Sequence, residues 1–129
     1  MRYLFSILFI TLALNATDIN VIASQGCNFD TITYKSLKDL FMKKTKVYAD
    51  KHIEVLDNNE CYKNFISKYL SKSPTKMRIY WTRMIFTGSK KPPQKISEDK
   101  LIKTDINSCK ISYTKLTHLQ GWKVLNVIR

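Results

Sequence analysis

Two short stretches place hydrogen-bond donors where a strand gives way to a loop: "SQGCN" at 24–28 and "NNE" at 58–60. Ser24, Gln25, Asn58 and Asn59 are the donors they offer. Ligands gather outside strand ends in α/β sheets, and helix starts there suit a small oxyanion. These four residues form the candidate ligand-binding set. At the second stretch a plainer role competes, in which Asn58 or Asn59 only caps the helix that follows.

Catalysis has less to stand on. His52 and His118 are solitary, with no H-x-x-x-H or Cys/His spacing for a metal. A nucleophile drawn from Cys27 and either histidine has no local support. Glu98 and Asp99 are paired carboxylates, but they fall in the first turn of a helix, where they complement its dipole. The chain has no glycine-rich phosphate loop. The expectation is a non-enzymatic protein with no catalytic residue, no metal ligand and no cofactor.

Cys27, Cys61 and Cys109 leave one thiol over, and three pairings are open. Export would permit a disulfide, and residues 1–16, "MRYLFSILFITLALNA", have the form of a signal peptide. Arg2 supplies the positive start, Leu4 to Leu14 the apolar run, and Leu14-Asn15-Ala16 a cleavage site. The run is shorter than the about 20 residues that span a bilayer. An uncleaved anchor is the alternative. Residues 17–129 are then one periplasmic domain, large enough for its own core.

The chain holds 22 Lys and Arg against 10 Asp and Glu, a net charge of +12. That balance points to anionic company: phosphate, anionic lipid or an acidic protein. Nucleic acid is not expected as a partner of an exported chain.

The elements that must position these residues follow from periodicity and caps. "DINVIAS" (18–24) and "HIEVLD" (52–57) read as strands. Thr33 or Ser36 starts a helix to about Lys44, and "KKTKVYADK" reads as a charged connection. A repeat of four (Cys61/Tyr62, Phe65/Ile66, Tyr69/Leu70) predicts a helix with one buried face. In "SPTKMRIYWTRMIFTGSKKPP" (73–93), Ser73 is the N-cap, Pro74 the first helical residue and Gly88 the terminator. Met77, Tyr80, Trp81, Met84 and Ile85 share a face expected to be core. Ser97 caps a short helix, and "KISYT" (110–114) and "WKVLNVI" (122–128) close the chain as strands. The order β-α-β-α-α-α-β-β predicts an α/β domain.

The 73–93 stretch resembles small periplasmic-binding-protein-like domains related to the phosphate-binding component of phosphate ABC transporters. Ser73, Pro74, Tyr80, Trp81, Ile85, Phe86, Thr87, Gly88, Pro92 and Pro93 carry the likeness. "LKDLFMKKTKVY" and "CKISYT" extend it along the chain. The resemblance implies a reduced type II periplasmic-binding-protein fold, a single α/β domain with a mixed sheet and flanking helices. It also implies phosphate as ligand and a membrane transporter or sensor as partner. The family's Arg-x-x-x-Ser-Gly-Thr segment has no counterpart in "LDNNECYKNF", where Glu60 would set a carboxylate at a helix start. The second reading is therefore a non-enzymatic interaction module with a degenerate ligand site. That module would meet an acidic protein or an anionic membrane surface.

Overall fold

The computed structural model describes residues 18–129. The apolar leader assigned to 1–16 lies outside them. Along the chain come β1 (Asn20–Ser24), β2 (Thr31–Thr33), α1 (Tyr34–Phe41), β3 (Val47–Tyr48), β4 (Lys51–His52) and β5 (Glu54–Asn58). Then follow α2 (Tyr62–Phe65), a π-helical turn (Ile66–Leu70), α3 (Pro74–Phe86), β6 (Gln94–Ile96) and α4 (Glu98–Lys103). The chain closes with β7 (Lys110–Thr114), β8 (Trp122–Val124) and β9 (Asn126–Ile128).

Five strands form one mixed sheet in the order β6-β5-β7-β1-β8. β5 runs parallel to β6 and β7, and β1 runs antiparallel to β7 and β8. Alternation along each strand sorts side chains onto two faces. Val21, Ala23, Val55, Ile111 and Tyr113 face the larger core with α1, α2, the π-helical turn and α3. Ile22, Leu56 and Ile96 face a smaller one with Leu101 of α4, Leu119 and Trp122. The larger core is aromatic at its centre. Phe65 stacks on Tyr113 with ring centroids 3.8 Å apart, and Phe41 sits 4.7 Å from Phe65. The whole is a mixed α/β domain, as the order of elements implied.

Local signals explain the helices. Thr33 accepts from the Ser36 N–H and starts α1. Ser73 accepts from the Lys76 N–H and starts α3, with Pro74 at the first position. Gly88 takes the left-handed conformation, φ 72°, just beyond α3. Ser97 accepts from the Lys100 N–H and starts α4.

Several expectations change. Neither Asn58 nor Asn59 is the helix cap: Cys61 occupies that position for α2, without a side-chain hydrogen bond. The helix from Tyr62 is α-helical for one turn only, then widens to π geometry and ends at Ser71, φ 56°. The long last strand divides at Leu125, whose side chain is buried. β8 stays in the main sheet, whereas β9 leaves it to pair in parallel with β2. The charged connection holds a hairpin, with Val47 opposite His52 and Tyr48 opposite Lys51. Its turn residues, Ala49 and Asp50, both have positive φ, the tight-hairpin conformation usually taken by Asn-Gly. On α3, Met77 and Trp81 are buried but Ile85 is 55% exposed, so the core stripe is narrower than its spacing implied.

Candidate functional site

The topology separates the two candidate stretches. Because β1 runs against β7, and β7 runs with β5, the end of β1 lies at the start of β5 and β7. Ser24 and Gln25 are at one end of the sheet; Asn58 and Asn59 are at the other.

At the first end, Ser24 is fully buried. Its hydroxyl donates to the Ser108 carbonyl at 2.7 Å and accepts from the Lys110 N–H at 2.8 Å. The adjacent Cys27 is bonded to Cys109, which selects one of the three pairings. Gly26 belongs to the same junction, since a Cβ there would collide with the Asn107 carbonyl. Gln25 is exposed, with its backbone N–H on the Gly121 carbonyl. This end is a staple joining the chain on either side of Cys109.

At the other end Asn58 is also fully buried. Its amide nitrogen donates to the Tyr113 carbonyl at 2.9 Å, and its amide oxygen accepts from the Glu60 N–H. Ser112 donates to the Leu56 carbonyl at 2.8 Å. Side chains thus join β5 to β7 beyond the paired Val55 and Ile111. Glu60 does not occupy the start of α2 as a competing anion; its carboxylate accepts from the Glu98 N–H at the start of α4.

Asn59 is different. It is exposed and lines a cavity of about 730 Å³ between α3 and the β5–β6 edge of the sheet. Asp57, Tyr62, Lys63, Arg78, Trp81 and Lys95 share that lining, and Pro92 and Pro93 close one side. Local structure places each group. Asp57 and Lys95 are opposite each other in register, and Arg78 and Trp81 lie one turn apart on α3. Pro92 and Pro93 close the loop that follows α3 and lead into β6.

The floor is the buried carboxyl of Asp57. The Tyr113 hydroxyl donates to it at 2.8 Å. Burial pushes its pKa up from 3.8 to about 6, against the lowering effects of that hydrogen bond and of Lys95 and Lys43. Burial also pushes the Tyr62 hydroxyl up to about 12, with Asp57 adding to the rise, so it remains a donor at neutral pH. Lys95 Nζ lies 3.8 Å from the centroid of the Tyr62 ring, a cation–π contact that holds it at the rim. The cavity therefore has three cations, an amide and a phenol around one carboxyl group. Such a set can hold a small anion; it has no nucleophile–base pair.

Asn59 belongs to both the sequence-derived set and this cavity. Asp57, Lys63, Arg78 and Lys95 carry no motif or spacing that marks them in the sequence as parts of a site. The signal lies in the strand itself: in "EVLDN" Asp57 is two residues from Val55 and so falls on the same, core-facing side, where a carboxyl is unusual. Among the described residues no group of His, Cys, Asp and Glu could hold a metal ion. No described helix is long and apolar enough to cross a membrane.

No family model matches the chain, and no curated protein matches it. A solved structure is similar in fold: an ABC-type phosphate transport receptor from Vibrio cholerae, with a TM-score of 0.50 and 10% identity. The match covers 84% of this chain and 45% of the receptor, so the chain spans less than half of that protein's length. At this identity the likeness is one of fold, a distant relation to periplasmic-binding-protein architecture.

Proposed function

We propose that the chain is an exported, non-enzymatic solute-binding domain. Its ligand is a small oxyanion, with phosphate the leading candidate, held in the cavity between α3 and the β5–β6 edge. The observation that carries this reading is the convergence of Lys63, Arg78 and Lys95, with Asn59, on one cavity. Charged donors around a partly enclosed site favour an anion with several acceptor oxygens. Asp57 favours phosphate over sulfate. An ionised carboxylate repels an anion that carries no proton, but accepts a hydrogen bond from one that does. Phosphate keeps a proton across neutral pH and sulfate does not.

Export is supported by the form of residues 1–16 and by the Cys27–Cys109 bond, which suits an oxidising compartment. The partner would be a membrane transporter or sensor that receives the ligand or its bound state. The similarity in fold to a phosphate transport receptor supports the same ligand class. With only one domain to enclose the ion, binding is expected to be weak.

Calorimetry with phosphate and sulfate at millimolar concentration tests this reading. Phosphate should release or absorb measurable heat, and R78A or K95A should weaken it about tenfold, the loss expected for one charged hydrogen bond. Absence of heat from both anions would count decisively against an oxyanion site.

A further inference from the structure

The uneven charge has a definite location. From Cys61 to Ser97 the chain carries nine Lys and Arg residues and no Asp or Glu. This segment holds α2, the π-helical turn, α3 and β6. The three ion pairs among the described residues, Lys35–Asp39, Lys110–Glu54 and Lys123–Asp30, all lie outside it.

The same segment exposes apolar side chains. Phe86, in the last turn of α3, is 85% exposed, and Ile79 and Ile85 are each more than half exposed. Ile79 and Phe86 are seven residues apart, so they lie on one line along the helix, away from the buried Met77 and Trp81. Lys76 and Arg83 flank that line on one side and Arg78 on the other. Lys90 and Lys91 follow immediately after the left-handed Gly88.

We infer that this outer face of α3, with the Lys90–Lys91 loop, docks on an anionic lipid bilayer surface. The charge is complementary to the headgroups, and uncompensated lysines and arginines near such a surface attract it additively. The apolar line fits the boundary between headgroups and acyl chains, as in helices that lie in the interface. A protein partner fits less well, because interface cores are depleted in lysine, whereas here Lys76 flanks the apolar line and Lys90 and Lys91 follow its end. Arg78 borders both this face and the oxyanion cavity, but Phe86, Lys90 and Lys91 do not line the cavity, so substitutions at those three test this inference separately from the function proposed above.

The full chain carrying F86W reports on this face directly, because Trp81 and Trp122 are both buried. Its emission is measured with vesicles of phosphatidylglycerol mixed with phosphatidylcholine, with brominated acyl chains as quenchers, and with phosphatidylcholine alone. The mixed vesicles should shift the reporter's emission to the blue and quench it, and the neutral ones should not. K90A/K91A in the same background should lower partitioning about 25-fold, from about fivefold per lysine. A reporter that stays in water while the chain sediments with vesicles would overturn the inference. So would an equal response to neutral vesicles, or partitioning unchanged by K90A/K91A. Binding to polyglutamate without any response to vesicles would overturn it too, in favour of an acidic protein.

Discussion

Asp57 shows how one residue can set both stability and ligand choice. Its carboxyl is buried and its pKa is raised from 3.8 to about 6, mainly by loss of hydration. The native state therefore binds more protons than the unfolded chain between about pH 4 and 6. Stability attributable to this group falls as pH rises through that window, and is lowest above it, by about 3 kcal/mol in all. Asp57→Asn keeps an acceptor for the Tyr113 hydroxyl and removes the charge. Urea unfolding of the two proteins should therefore converge at acid pH and diverge at neutral pH, with the variant the more stable. In calorimetry the same substitution should narrow the gap between phosphate and sulfate. Equal pH profiles for both proteins would show that the carboxyl is solvated.

Cys61 is legible at the same scale. It is the free thiol, it is buried, and burial with nearby Glu98 pushes its pKa up to about 12. Thiolate is the reactive form, so Cys61 should neither alkylate nor exchange with the Cys27–Cys109 bond at neutral pH. Iodoacetamide should add nothing to the native protein and one adduct in denaturant; mass spectrometry reads both.

At the scale of elements, α3 is built by strong local rules yet held by few tertiary contacts. Its start is defined by Ser73 and Pro74 and its end by Gly88, all readable in sequence because caps act over three or four residues. Its attachment is Met77, Trp81 and the Tyr80 hydroxyl, which donates to the Met42 carbonyl at 2.8 Å. Ser73→Ala should cost about 1 kcal/mol, the usual loss of a cap. Trp81→Ala should cost about 3–5 kcal/mol and open the cavity roof, so phosphate heat should fall with it. Chemical denaturation of both variants measures the difference. Helical spacing puts Ile85 beside Trp81, because a helical stripe has no sharp edge. How wide a face the sheet covers is decided by the packing partner, not by the helix.

At the scale of the molecule, the sheet's mixed topology decides which residues can cooperate. It puts Ser24 and Asn58 at opposite ends, where each uses its side chain to tie neighbouring segments together. The Cys27–Cys109 bond spans a sequence separation of 82 and sits at the Ser24 end. Closing so long a loop restricts the unfolded chain strongly, by about 4–5 kcal/mol on a chain-entropy basis. C27A/C109A should lower stability by about 2–5 kcal/mol, and reduction of the native protein should do the same. Thermal or urea unfolding with and without reductant gives the comparison.

Strands at 18–24, 52–57 and 110–114, the three capped helices and the α/β class are legible in the residues; the fold trims the first to 20–24 and sets the second at 54–58. Each depends on periodicity or on contacts a few positions apart. The parallel pairing of β2 with β9, the short β6 edge and the 47–52 hairpin are not legible. Two- and three-residue strands have no period to read, and Ala49-Asp50 is not a usual hairpin turn. The disulfide partner was open for the same reason, since residues 27 and 109 meet only when β1 and β7 pair. The candidate site followed this division. Residue type marked Asn59 as a donor, but only the folded sheet brought Asp57, Lys63, Arg78 and Lys95 around it. A binding cavity is a meeting of distant segments, and one chain read in order holds no distances between them.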